Sequence, residues 1–251
     1  MSAAVHVPFV DLKAQYAAIT GEVEAAIRGV LARADFILGE DVARFEEEFA
    51  RYTGAKYAVG VGSGLDALEM VLRAWGIGPG DEVITAANTF IATVLAILAT
   101  GARPVLVDCD SVTYNISAAA IEAAITPRTR VLIPVHLYGQ PAEMEAIAAI
   151  ARKHHLLLLE DAAQAHGASF AGRPAGSWGD AAAFSFYPAK NLGAYGDGGC
   201  VVTSDAALGE KIRRLRNYGQ REKYYHDTVC TNSRLDSLQA AVLRVKLRHL
   251  D

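Results

Sequence analysis

A chain of 251 residues, 52% apolar and 21% charged, can bury a substantial core as one large α/β domain or two ordinary ones, and its composition excludes disorder. The net charge of −4, with no long basic run, argues against nucleic acid or an anionic membrane as a partner. Cys109, Cys200 and Cys230 stand alone in no metal-ligand spacing, which predicts buried free thiols in a reducing cytoplasm and no metal site.

In chain order, Met1-Ser2-Ala3-Ala4-Val5-His6 lacks the charged and apolar regions of a secretory signal. From Asp11 to Arg33 apolar residues recur at helical spacing (Leu12, Tyr16, Ile19, Val23, Ile27, Val30), and Asp41–Tyr52 reads as a second helix. Together they predict a helical segment over residues 1–55 packed on a core of residues 56–251. Strands are predicted at Tyr57–Gly62, Glu82–Ala86, Pro104–Asp108, Val131–His136, Leu156–Asp161, Ala181–Phe186 and Gly199–Thr203. Helices are predicted between them at Asp66–Trp75, Ile91–Thr100, Ala118–Ile125, Met144–His154 and Ala207–Asn217, with a last one at Arg234–Leu247. This alternation predicts an α/β fold: a three-layer, mostly parallel sheet with helices on both faces, and ligands beyond the carboxyl ends of the strands. The most apolar run, Phe90 to Ala99, has about half the length of a membrane span, so the expectation is a soluble cytoplasmic protein.

Four stretches carry candidate chemistry. Gly60-Val61-Gly62-Ser63-Gly64-Leu65-Asp66 joins the first predicted strand to its helix, where free N–H groups favour an anion such as phosphate. A dinucleotide finger would need glycine at position 65 and an acidic end to the next strand; Leu65 and Thr85-Ala86-Ala87 supply neither. Asn88-Thr89-Phe90 opens a helix, with Asn88 or Thr89 as its N-cap, and Phe90 either enters the core or offers its face to a planar ligand.

Glu160-Asp161-Ala162-Ala163-Gln164-Ala165-His166 ends a run of leucines. A carboxylate at the end of a buried strand is costly unless it meets a cation or several donors. Asp161 either caps the following turn or pairs with a protonated ring nitrogen, with Gln164 bonding the same ligand; His166 is assigned no role. Ser185-Phe186-Tyr187-Pro188-Ala189-Lys190-Asn191-Leu192-Gly193 places a serine at a strand end and a lysine on the bend beyond it. A partly desolvated lysine there can form a Schiff base. Finally, Asn232 or Ser233 reads as the N-cap of the last helix.

The set resembles the DegT/DnrJ/EryC1/StrS sugar aminotransferases, pyridoxal phosphate (PLP) enzymes built on the fold type I large domain. The resemblance runs from Val7-Pro8-Phe9-Val10-Asp11-Leu12 to the end and includes Phe36-Ile37-Leu38-Gly39, Pro79-Gly80-Asp81-Glu82-Val83-Ile84, His136-Leu137-Tyr138-Gly139 and Asn232-Ser233-Arg234-Leu235-Asp236. It implies that Lys190 is the Schiff-base lysine and later moves the proton, and that Asp161 keeps the pyridine nitrogen protonated. It also implies that Gln164 bonds the phenolic oxygen, that Phe90 stacks on the ring, and that Gly64, Leu65 and Ser185 hold the phosphate. Asn232 would reach that phosphate from a second subunit, making the protein a homodimer with shared sites. Many members carry threonine where Leu65 stands, and members continue into a C-terminal small domain where this sequence ends at Asp251. The expectation is a truncated or unusually short form without that domain.

The implied function is amino transfer from glutamate to a nucleotide-linked keto-deoxysugar, with dTDP-3-keto-6-deoxyhexoses favoured by the runs 64–68, 88–92 and 218–224. A 4-keto substrate is the alternative. Sugar dehydration, found in relatives with histidine at the lysine position, is opposed by Lys190. A nicotinamide oxidoreductase and a catalytically silent, dimerising homologue are the readings from other classes.

Overall fold

The alternation of short apolar runs and amphipathic segments closes into a seven-stranded sheet in the computed structural model, which describes residues 7–251. Met1–His6, and with them the reading of a missing secretory signal, lie outside the described residues. The elements run α1 (Leu12–Arg33), α2 (Glu40–Thr53), β1 (Tyr57–Val61), α3 (Gly64–Ala74), β2 (Glu82–Ala86), α4 (Ile91–Ala99) and β3 (Arg103–Val107). There follow α5 (Ala118–Ala124), β4 (Thr129–Ile133), α6 (Met144–Lys153), β5 (Leu157–Asp161) and a short hairpin, β6 (Ser169–Phe170) with β7 (Arg173–Pro174). The chain continues with β8 (Ala181–Ser185), β9 (Gly199–Thr203), α7 (Ala206–Leu215), a second hairpin of β10 (Gln220–Glu222) and β11 (Tyr225–His226), and α8 (Ser237–Leu247).

Across the sheet the order is β1-β9-β8-β5-β4-β2-β3. The ladders from β8 to β3 are parallel, while β9 pairs antiparallel with both β1 and β8. Six strands therefore point one way and β9 alone runs against them. The mostly parallel α/β sheet expected from the sequence is present. Because β1 has no parallel neighbour, its glycine loop does not open the βαβ unit that a dinucleotide finger requires.

Both faces of the sheet are covered, which is why its strands read as near-continuous apolar runs. On one face Ala181, Ala183, Leu159 and Val201 pack with Leu68, Leu72, Ala96 and Ile212 of α3, α4 and α7. On the other, Ala182, Phe184 and Val202 meet Phe45 and Phe49 of α2 and Leu243 of α8. Phe49 stands edge-on to Phe184 and Phe186 at ring centroids of 5.0 and 5.3 Å, pairs worth about 0.5–1.5 kcal/mol each beyond area burial. Helix α1 is mostly exposed and packs on the body through buried Val23, with half-buried Ile19, Ala26 and Ile27, against Val242 and Val245 of α8.

Side-chain alternation sets the site. Ser185 has the parity of Ala183, and Asp161 that of Leu159, so both face the α3 and α4 layer. Glu160 faces the opposite layer.

Two predicted boundaries move by three residues. The strand expected at Val131–His136 lies at Thr129–Ile133, because Pro134 has no N–H for the ladder; its carbonyl instead accepts from Asp161 N–H at 2.9 Å. The last helix starts at Ser237 with Asp236 as N-cap, so neither Asn232 nor Ser233 caps it. Tertiary contacts hold that stretch extended: Ser233 Oγ accepts from Gly62 N–H at 2.9 Å, and Leu235 fills the space beside Gly60. Of the three cysteines only Cys200 is buried, and burial pushes its thiol well above the usual range; Cys109 and Cys230 are half-buried because they sit outside the core strands. No helix of the described residues is long and apolar enough to cross a membrane.

Candidate active site

At the carboxyl ends of β1, β5 and β8 a cavity of about 430 Å³ is lined by Ser63, Gly64, Leu65, Thr89, Phe90, Thr93, Asp161, Gln164, Ser185 and Lys190 among others. Seven of the residues singled out in the sequence meet there; Asn232 does not. It is exposed and bridges Asn217 at the foot of the β10–β11 hairpin.

One wall is the start of α3. Ser63 caps the helix: its Oγ accepts from Asp66 N–H at 3.1 Å and donates to the Asp66 carboxylate at 2.9 Å. That leaves the first N–H groups, at Gly64 and Leu65, without intrahelical acceptors at the positive end of the helix dipole. Ser185 lies directly against them; a Cβ on residue 64 would sit 2.6 Å from Ser185 Cβ. Gly64→Ala is therefore expected to destabilise the protein by about 1–3 kcal/mol, read by urea titration, and an unchanged midpoint would refute the close approach.

Lys190 stands on a tight turn after β8. Its N–H bonds the Tyr187 carbonyl at 2.8 Å, and Ala194 N–H returns to the Phe186 carbonyl at 2.8 Å. Gly193 is required there, since a Cβ would fall 2.3 Å from the Pro188 carbonyl oxygen. The buried ammonium of Lys246 on α8 also donates to the Gly193 carbonyl. Lys190 itself is half-buried; desolvation lowers its pKa, and the Asp161 charge opposes that shift.

Asp161 is 5% exposed. Burial raises its pKa, and donors resist the rise: Thr93 Oγ1 to Oδ2 at 2.7 Å, then Ala163 N–H to Oδ1 at 3.2 Å. The turn-capping reading of Asp161 is thus realised: Oδ1 holds the turn, while the carboxylate lines the cavity. Gln164 Oε1 accepts from Tyr138 N–H at 2.6 Å, so its amide NH₂ remains as a donor for an acceptor in the cavity. Phe90 is 69% exposed on the cavity wall and is not a core residue.

Asn88 and Thr89 do not cap α4. Asn88 Nδ2 donates to the Tyr114 carbonyl, Thr89 Oγ1 lies 2.7 Å from Thr93 Oγ1, and Phe90 occupies the N-cap position without a side-chain bond. Thr93 went unnoticed in the sequence; its only signal is the i, i+4 spacing from Thr89, which puts both hydroxyls on one helix face. Behind the site, buried His136 accepts from Ala142 N–H on Nδ1 and so donates from Nε2 to Glu160 at 2.9 Å. Glu160 also takes the N–H groups of Gly176, Trp178 and Gly179. His166 is buried beside Phe184 and Phe186, and burial lowers it to about 3, so it is neutral at physiological pH.

The cavity therefore joins the N-terminus of α3, an aromatic wall, a buried carboxylate with no salt-bridge partner among the described residues, an amide donor and a desolvated amine. Those groups suit a flat, phosphorylated ring with a cationic nitrogen and an electrophilic carbon.

The chain is 56% identical over 245 residues to the dTDP-3-amino-3,4,6-trideoxy-alpha-D-glucose transaminase of Streptomyces venezuelae, covering 98% of this chain and 65% of that protein. The crystal structure of S. venezuelae DesV in complex with a ketimine intermediate superposes with a TM-score of 0.97 at 55% identity, over 99% of this chain and 67% of that one. NtdA from Bacillus subtilis, with bound cofactor PMP, superposes with a TM-score of 0.93 at 33% identity, over 99% of this chain and 57% of that one. The chain thus spans about two thirds of the length of its near relatives. With the family model matching residues 17–251 as well, this chain belongs to the DegT/DnrJ/EryC1/StrS aminotransferase family.

Proposed function

We propose that this chain forms the cofactor-binding part of a PLP-dependent aminotransferase that moves an amino group from glutamate to a nucleotide-linked 3-keto-deoxysugar, in the manner of dTDP-3-keto-6-deoxyhexose aminotransferases. The observation that carries the reading is that half-buried Lys190 and buried Asp161 line one cavity, each shifted toward its neutral form by desolvation. A cationic ring nitrogen would give Asp161 a direct ion-pair partner. When bound, PLP supplies an electron sink for the negative charge left at the substrate carbon after deprotonation.

This chain's own residues would do the rest. Lys190 would hold the cofactor covalently and, once released, carry the proton between substrate and cofactor carbons, a task suited to an amine whose pKa burial has lowered. Asp161 would keep the ring nitrogen protonated. Gln164 would donate its amide to the phenolic oxygen, Phe90 would cover the ring, and Gly64, Leu65 and Ser185 would hold the phosphate. The exposed Asn232 would turn to the phosphate site of a second copy in a homodimer.

The 3-amino product in the name of the Streptomyces relative supports the 3-keto substrate over a 4-keto one. The deciding measurement is the visible spectrum of the purified protein loaded with PLP, before and after glutamate. A band in the loaded protein that moves to the amine form of the cofactor is the expected result; no uptake of PLP would favour a catalytically silent homologue. Assay of 3-keto and 4-keto dTDP sugars side by side then fixes the acceptor, and preference for the 4-keto sugar would overturn that part.

A further inference from the structure

Thr93 is completely buried on the first turn of α4, far in sequence from the strand end it serves. Its single hydroxyl lies 2.7 Å from Asp161 Oδ2 and 2.7 Å from Thr89 Oγ1. An ionised carboxylate only accepts, so the Thr93 proton must point to Asp161; the Thr93 oxygen must then accept from Thr89. The direction of the whole chain is fixed, and Thr89, which lines the cavity, is left with acceptor lone pairs on that side. The other Asp161 oxygen is held by Ala163 N–H at 3.2 Å, so both ends of the carboxylate are restrained.

We infer that Thr89 and Thr93 form a two-hydroxyl relay that sets the plane of the Asp161 carboxylate and keeps it ready for a cationic ring nitrogen. The inference rests on the PLP reading above, but it concerns residues that have only packing or helix-start roles on sequence grounds. Thr93 acts through Asp161 and is a positioning residue. A buried carboxylate tends to protonate, and a protonated Asp161 would be a poor partner for a ring N–H⁺. The donated bond opposes that tendency, as does the charge of Lys190 across the cavity.

The test uses the full chain with Thr93→Val, which keeps the shape and removes the hydroxyl, and Thr93→Ser, which keeps the hydroxyl and removes the methyl. Hydrogen bonds to charged groups are worth enough that Thr93→Val should weaken PLP binding by about tenfold to a hundredfold. Retention of PLP should also begin to fail at a higher pH on acidification than in the parent, because the carboxyl protonates more readily. Thr93→Ser should restore both, while the apo protein of each variant melts near the parent. PLP binding and acid sensitivity unchanged in Thr93→Val would overturn the relay, as would Thr93→Ser behaving like Thr93→Val, which would mark a packing role. If Asp161→Asn also left PLP binding unchanged, the PLP reading itself would fall together with the relay.

Discussion

Under the proposed function, Lys190→Ala is expected to give a folded protein that has lost at least about 10⁴-fold of that activity, because the covalent attachment and the proton transfer assigned to Lys190 vanish together. Proton transfer by a placed side chain alone is worth about 10²–10⁴-fold. The fold should survive. Lys190 is half-buried at an unfavourable site for its charge, and the loop around it is held by backbone bonds from Lys190, Ala194 and the ammonium of Lys246, none of which needs the Lys190 side chain. Two measurements check this. Borohydride reduction followed by peptide mass analysis should find the cofactor on the peptide containing Lys190 in the parent and nowhere in the variant. The thermal midpoint of the apo variant should equal or exceed that of the parent. Cofactor still fixed to the variant, on any other lysine, would refute the assignment.

Much of that site was legible because it is built from strand ends. The apolar runs before Asp161 and Ser185 announce buried strands, the two-residue period decides which face each side chain takes, and Pro188 marks where the lysine leaves the sheet. The elements themselves were legible for the same reason, within a residue or two at most boundaries. What escaped depends on contacts between distant segments. The reversal of β9 leaves no trace in its own sequence, since Gly199–Thr203 would read the same in either direction. The start of α8 is delayed because Ser233 and Leu235 are engaged by the first glycine loop, more than 170 positions away in the case of Gly62 and Ser233. Thr93 looks like an ordinary residue of an apolar helix until α4 is laid across the end of β5.

Asp161→Asn is expected to separate stability from activity. In the apo protein Asp161 is buried with two neutral donors and, among the described residues, no salt-bridge partner, and burial raises its pKa in the folded state against the opposing charge of Lys190. A carboxyl with a raised folded pKa contributes stability that is fully present below its unfolded pKa and is lost as pH rises through the folded one. At neutral pH the ionised group is therefore a burden on the apo fold. Asparagine has the same shape and removes the charge; it still offers an oxygen to Thr93, while its NH₂ replaces the acceptor of the longer, 3.2 Å bond from Ala163 N–H, a smaller loss than the relief of the buried charge. The apo variant should melt higher than the apo parent at pH 7, by at least about 2 °C if the relief reaches 1 kcal/mol in a domain of this size. The gap should close on acidification through the raised Asp161 pKa, where the parent carboxyl is protonated too. With PLP added the order should reverse, because only the parent can pair its carboxylate with a protonated ring nitrogen and gain stability from binding. Activity should fall by about 10²–10⁴-fold, in the range of a lost proton-transfer partner. Thermal melts of both proteins, with and without PLP, at neutral and acidic pH, give every quantity needed. An apo variant less stable than its parent at neutral pH would mean that Asp161 is paired inside the fold, and a PLP-induced gain equal in both proteins would mean that its charge is not there for the cofactor.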